Sequence, residues 1–291
     1  MILDLTSLGG SKSKIITEGK AKPLLRPNLL LKAGCSLSIA RRLRALDAPT
    51  LVVRRSTLVV GSADVGEIRI PAPAFLIEHR DGLVLFDAGL APEAVADPRG
   101  TYGERAERLQ LRFTADQRVD RQVLAAGFQL TDVTHVVLSH LHFDHAGCAH
   151  TFPSAQIVLG GGALAHARSG ADKYSRPVDV ARVMAGTVVE LVEDGDLFGD
   201  GSVVTLRTPG HTPGHVSLLV RLPASAYVLT GDALHAREAL LSETPFPGDH
   251  DPAEAIRSIR RIKAVADECR ADIWINHDPT DWDRLRPRHL P

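Results

Sequence analysis

Residues 139–147, SHLHFDHAG, set His140, His142, Asp144 and His145 within six positions, directly after the β-branched run THVVL. Metal-seeking groups at that density do not fit an ordinary surface loop, and they constrain the chain more than any other feature. The run before them reads as a strand, so the ligands are delivered from a rigid element into a turn. Three other runs end the same way. VVTLRTPG leads into His211, YVLTG into Asp232, and DIWIN into His277. A single histidine after a strand is usually a hydrogen-bonded or surface residue, but four strand ends that all carry ligands call for one arrangement that uses them all.

Two metal positions satisfy that demand. A turn with alternating inward side chains directs His140 and His142 to one ion while Asp144 and His145 face a neighbouring one. His211 then completes three nitrogens for the first ion, His277 completes a mixed set for the second, and Asp232 bridges the two. Zinc takes three or four nitrogen, oxygen or sulfur ligands, and a catalytic ion keeps a position open for water. Two divalent ions per chain are therefore expected. Zinc is the first choice, with iron, cobalt or manganese as alternatives.

The rest of the chain reads as a mixed α/β body. Short β-branched runs recur from residue 51 onward, each closed by a turn or a polar cluster, and helix-like stretches lie between them. One such stretch is residues 104–126. A second begins at DPAEAIRSIRRIKAVADECRAD, where Asp251 is placed to cap, Pro252 suits the first helical position, and Ile256, Ile259, Ile262 and Ala266 form one apolar stripe. No repeat or low-complexity linker divides the chain. Residues 1–50 read as an N-terminal extension, helical where Leu37, Arg41 and Arg44 fall on one face, and residues 51–291 as the catalytic domain. Lys32 interrupts the early apolar segment, which argues against an export signal.

Composition narrows the function classes. Hydrophobic residues make up 44% of the 291 positions and the formal charge is −1. The chain can bury a large core, yet it has no basic field for nucleic acid or anionic lipid. A small neutral substrate is expected, with no membrane span and no nucleic-acid partner. Cys35, Cys148 and Cys269 are odd in number and lack CxxC spacing, which fits a reducing, cytoplasmic setting better than a disulfide framework.

The ordered set His140-x-His142-x-Asp144-His145, then His211, Asp232 and His277, resembles the signature of the metallo-β-lactamase superfamily over about residues 51 to 290. The resemblance implies an α/β fold of the αβ/βα sandwich type, with two mixed sheets face to face, helices outside and a dimetal site at one edge. It also implies that Asp87, in FLIEHRDGLVLFDAG, supports the ligands from behind. A bridging aspartate at Asp232 points away from dedicated β-lactamases and towards the lactonase, glyoxalase-like and phosphodiesterase branches. The ligand spacing and the segments GSADVGEIRIPAPAFLIEHRDGLVLFDAGLAP and HDPTDWDRLRP are most similar to the N-acyl-homoserine lactonases. One position departs. Many of those lactonases have a tyrosine three residues after the bridging aspartate, facing the substrate carbonyl, and this chain has His235.

The chemistry implied is hydrolysis without a serine or cysteine nucleophile. Two metal ions sharing a water bring its pKa towards neutrality and so supply hydroxide. His235 and the metals are expected to hold the tetrahedral oxyanion, and Asp144 to ligate and to pass a proton to the departing alkoxide. His215, four residues after His211, is expected to be structural. Two hydrolytic alternatives share the metal core: an organophosphate hydrolase of the methyl-parathion type, and a thioester hydrolase of the glyoxalase II kind. A metal-stabilised binding domain is a non-catalytic alternative, but the completeness of the ligand set argues against it. A homodimer is compatible with all of these.

Overall fold

The computed structural model describes residues 40–58, 63, 64 and 66–286. Among these, strands β1 (Ala40–Ala45), β4 (Phe75–His79), β5 (Gly82–Phe86), β6 (Val133–Val137), β7 (Gln156–Gly160) and β8 (Thr187–Leu191) form a sheet in the order β1-β4-β5-β6-β7-β8. A second sheet has the order β13-β12-β11-β10-β9, from β9 (Gly195–Asp196), β10 (Val203–Arg207), β11 (Val216–Arg221), β12 (Ala226–Leu229) and β13 (Asp272–Trp274). The ribbon of β2 (Thr50–Arg54) and β3 (Glu67–Pro71) stands apart from both.

The apolar runs are nearly continuous because both faces of each sheet are covered. Phe75, Ile77, Val84, Phe86, Val137 and Val158 meet Val216, Leu218, Val220, Leu229 and Trp274 between the sheets. Alternate residues point the other way. Leu76, Leu85, Val136, Ile157 and Leu159 pack under Val119, Val123 and Val183 of the outer helices. On the far side, Val204, Leu206, Leu219 and Val228 receive Ile262, Val265 and Ala266 from the helix Pro252–Cys269. The period-2 alternation of the strands thus generates helix, sheet, sheet and helix layers in turn, the αβ/βα sandwich expected. Asp251 caps the long helix by accepting the Glu254 backbone N–H at 3.0 Å, with Pro252 in its first turn.

Two local expectations are corrected. Arg41 and Arg44 lie in strand β1, paired antiparallel with β4, rather than in a helix. The register shifts between Ala40 and Arg42, and this bulge leaves Ala40 and Leu43 both buried three residues apart. A one-residue bulge therefore imitates helical spacing. Strand β1 brings Ala40 into the first sheet, eleven residues before the expected domain start at residue 51; Leu37 and the remainder of the N-terminal extension lie outside the described residues. The stretch 104–126 is two short helices, Glu104–Arg108 and Val119–Ala125. Between them Gln110 takes a positive φ of 42° and Arg112 bridges to Thr50.

Candidate metal centre

The four strand ends meet at one edge of the sandwich. His140 follows β6, His211 follows β10, Asp232 follows β12 and His277 follows β13. β6 is parallel to β5 and β7, and β12 is parallel to β13, so the carboxyl ends of these strands open on the same side. Gly210 makes the approach of His211 possible. Its φ is +138°, and a Cβ there would lie 2.4 Å from the backbone of Ala255 in the long helix.

The side chains converge in two sets. His140, His142, His211 and Asp232 bring ligand atoms within 4.8 Å of one another, as do Asp144, His145 and His277. Asp232 lies between the sets and divides its oxygens. Oδ2 faces His211 Nε2 at 3.5 Å and His140 Nε2 at 3.7 Å, whereas Oδ1 faces His277 Nε2 at 3.0 Å and His145 Nε2 at 3.2 Å. Asp144 Oδ2 stands 3.8 Å from both His145 Nε2 and His277 Nε2. All seven side chains are buried.

Metal ions fit this cage on chemical grounds. His140 Nε2, His145 Nε2 and Asp232 Oδ1 are buried without a hydrogen-bond partner, despite the short approaches around Oδ1. Buried polar atoms left unpaired cost about 1–3 kcal/mol each. A cation between these groups, whose ligand atoms lie within 4.8 Å of one another in each set, would satisfy them. Burial, with its neighbouring histidines, holds His140 well below the usual imidazole range, which leaves it neutral and able to ligate. Burial opposes ionisation of Asp232 as well, but His145, His277 and His235 outweigh it and keep the carboxylate charged.

The histidines are oriented from behind, as ligating imidazoles require. Asp87 Oδ2 approaches His145 Nδ1 at 2.9 Å, and Ser139 Oγ approaches His140 Nδ1 at 2.9 Å. His211 Nδ1 meets Asp249 at 3.0 Å, and His277 Nδ1 meets the Pro71 carbonyl oxygen at 2.7 Å. His142 is held the other way round. Asp172 lies 3.3 Å from its Nε2, and its Nδ1 faces His211 Nε2 at 3.2 Å. Asp172, Asp249 and the Pro71 carbonyl carry no motif in the sequence. A carboxylate that acts through a histidine ring is recognisable only once the loops are folded.

His215 sits behind the site, as expected. Its Nε2 accepts the Asp232 backbone N–H at 3.0 Å, which leaves Nδ1 to donate to Thr208 Oγ1 at 2.9 Å. His235 is brought to the cluster, with Nε2 3.2 Å from Asp232 Oδ2.

A sandwich with a paired His/Asp cage at the strand ends defines a class, the dinuclear metallohydrolases of this fold. The comparisons agree: residues 69–268 match the family model described as the metallo-beta-lactamase superfamily, and the chain belongs to that superfamily. Among its relatives, N-acyl homoserine lactonase AttM of Rhizobium radiobacter is 33% identical over 262 residues, covering 84% of this chain and 96% of that protein. An N-acyl homoserine lactonase of Bacillus cereus is 31% identical over 225 residues, covering 77% and 86%. A solved N-acyl homoserine lactone hydrolase, with the product N-hexanoyl-L-homoserine bound at its catalytic metal centre, superposes with a TM-score of 0.76. It is 26% identical, over 86% of this chain and 99% of that one.

Proposed function

We propose that the protein is a metal-dependent hydrolase that opens the lactone ring of N-acyl-homoserine lactones. The observation that carries this reading is Asp232, whose two oxygens each face a separate set of buried ligands. It is supported by the lactonase relatives that match along most of their length. His140, His142 and His211 would hold one ion, Asp144, His145 and His277 the other, with Asp232 shared. Zinc suits the nitrogen-rich set. When bound, the ions supply Lewis acidity and an activated water.

The protein's own groups do the rest. In lactone hydrolysis water oxygen bonds to the acyl carbon, the ring C–O bond breaks, and the freed alkoxide takes up a proton. Asp144, ligating through the oxygen that faces His145 and His277, would accept the water proton on its other carboxylate oxygen and return it to that alkoxide. Burial of the cage keeps bulk water from the charged groups and strengthens their interactions. No described helix is long and apolar enough to cross a membrane.

The test is a substrate panel with the zinc-, cobalt- and manganese-reconstituted protein: short- and long-chain acyl homoserine lactones, a phosphotriester and a thioester. The lactones are expected to give the highest kcat/KM. A phosphotriester or thioester preferred by tenfold or more would replace this reading with the corresponding hydrolase.

A further inference from the structure

We infer that His235 is an eighth protein ligand of the metal pair, through Nε2, rather than a hydrogen-bond donor to the substrate carbonyl. The inference rests on the dinuclear reading of the same cage. Its ground is the placement of the ring. The short turn Gly231–Ala233 folds the chain back so that His235 Nε2 stands 3.2 Å from Asp232 Oδ2. With metal–nitrogen and metal–oxygen bonds of about 2.0–2.2 Å and a tetrahedral angle, two ligands of one ion lie about 3.3–3.5 Å apart. His235 therefore stands at ligand distance from the shared carboxylate, as His211 and His145 do at 3.5 and 3.2 Å. Its ligand atom, with those of Asp232 and His277, forms a further group within 4.8 Å.

The ring is also fixed in that direction. One face stacks on Phe246, at 4.1 Å between centroids and 19° between planes, and it runs nearly parallel to His277 at 5.5 Å and 20°. Phe246 is itself tied down, because its backbone N–H donates to Asp249, the residue that orients His211. The side chain is 6% exposed, and its Nδ1 has no hydrogen-bond partner. An imidazole buried among aromatic rings, with one nitrogen unpaired and the other aimed at a bridging carboxylate, is positioned as a ligand. A tyrosine hydroxyl at this position would extend past the ring edge towards substrate, whereas the imidazole stops at the cage.

The experiment compares wild type, His235→Phe and His235→Asn without relying on turnover. Phe keeps the stacking and removes the ligand; Asn keeps a hydrogen-bond donor but ligates poorly. Melting of the metal-free proteins first establishes that each folds. Zinc is then titrated against a competing chelator, and the cobalt forms are examined by visible absorption and by proton NMR of hyperfine-shifted exchangeable signals. Expected is a loss of about tenfold or more in affinity for one of two zinc equivalents in both variants. The cobalt band should change, and one exchangeable signal, from His235 Nδ1–H, should disappear. Wild-type affinity and an unaltered cobalt band in His235→Phe would overturn the ligand role, as would full restoration by Asn. A wild-type protein that saturates at one ion would instead overturn the dinuclear reading beneath it.

Discussion

The Asp87 carboxylate approaches His145 Nδ1 at 2.9 Å through Oδ2 and accepts the Ser139 backbone N–H at 2.7 Å through Oδ1. Oδ2 also accepts the Ser139 hydroxyl at 3.0 Å, and Ser139 Oγ reaches His140 Nδ1 at 2.9 Å. One fully buried side chain on the turn after β5 thus sets the end of β6 and one histidine from each ligand set. Asp87 holds a positive φ of 61°, which aspartate tolerates better than most residues.

Asp87→Asn places an amide where an acceptor is needed, so it should lower zinc affinity by about 10–100-fold. Asp87→Ala should add a loss of about 1–3 kcal/mol in stability, because the Ser139 N–H is left buried and unpaired. Chelator competition and thermal melting measure the two effects separately. Unchanged affinity in Asp87→Asn would show that His145 holds its orientation without this carboxylate.

The cage itself was legible because its ligands come in order along the chain and each ends a strand. His140, His142, Asp144 and His145 fall within six positions, and His211, Asp232 and His277 follow obvious β-branched runs. The inter-sheet core could be read in part for the same reason, since Phe75, Ile77, Val84 and Phe86 alternate plainly. Asp172 and Asp249 could not be read, because they act through a ring and sit in loops without periodicity. The strand nature of Ala40–Ala45 was concealed by its bulge. His235 was visible as a departure, but its direction depends on Phe246, eleven residues further on and meaningful only in three dimensions.

Metal removal should loosen the edge that carries the cage. Seven buried polar side chains there lose their common partners, and a ligand present at about 100 times its Kd contributes about 2.7 kcal/mol through binding to the folded state alone. The chelated protein should melt well below the zinc form, with the shift growing with zinc concentration. Coincident melting curves would mean that the cage is satisfied without ions.

Cys148 gives a local probe of the same loosening. It lies three residues after His145, fully buried, and burial, with Asp120 adding to it, pushes its thiol up to about 12. Reaction with iodoacetamide needs thiolate, so at pH 8 Cys148 should stay protected in the metal-loaded protein while the half-buried Cys269 reacts first. Raising the pH towards 12 increases the thiolate fraction and should speed labelling of Cys148. Stripping the metal should speed it at fixed pH through local opening. Peptide mapping by mass spectrometry reads both sites. Equal rates with and without metal would show that the loop 140–148 does not depend on the ions.

Gly210→Ala should act on stability and metal binding together. The added methyl meets the Ala255 backbone at 2.4 Å in a conformation that L residues rarely adopt, so the long helix or the His211 turn must shift. A destabilisation of about 1–3 kcal/mol is expected, with weaker binding of the ion that His211 serves. Wild-type melting and affinity would mean that the helix yields freely.

Asp144→Asn separates ligation from proton transfer. The two side chains have nearly the same shape, so the buried pocket beside His145 and His277 should accept asparagine without repacking. The amide oxygen can still ligate, though more weakly than a carboxylate, but an amide cannot take a proton from water and return it to an alkoxide. Turnover on the lactone should therefore fall by about 10²–10⁴-fold, the usual contribution of a positioned general acid–base group, while KM changes only a few-fold. Metal content must be measured on the same sample, because loss of an ion would also lower kcat. A substrate with a leaving group that needs no proton, such as an activated aryl ester, supplies the internal control. Its turnover should fall less than that of the lactone if Asp144 delivers the proton, and by the same factor if Asp144 only holds metal.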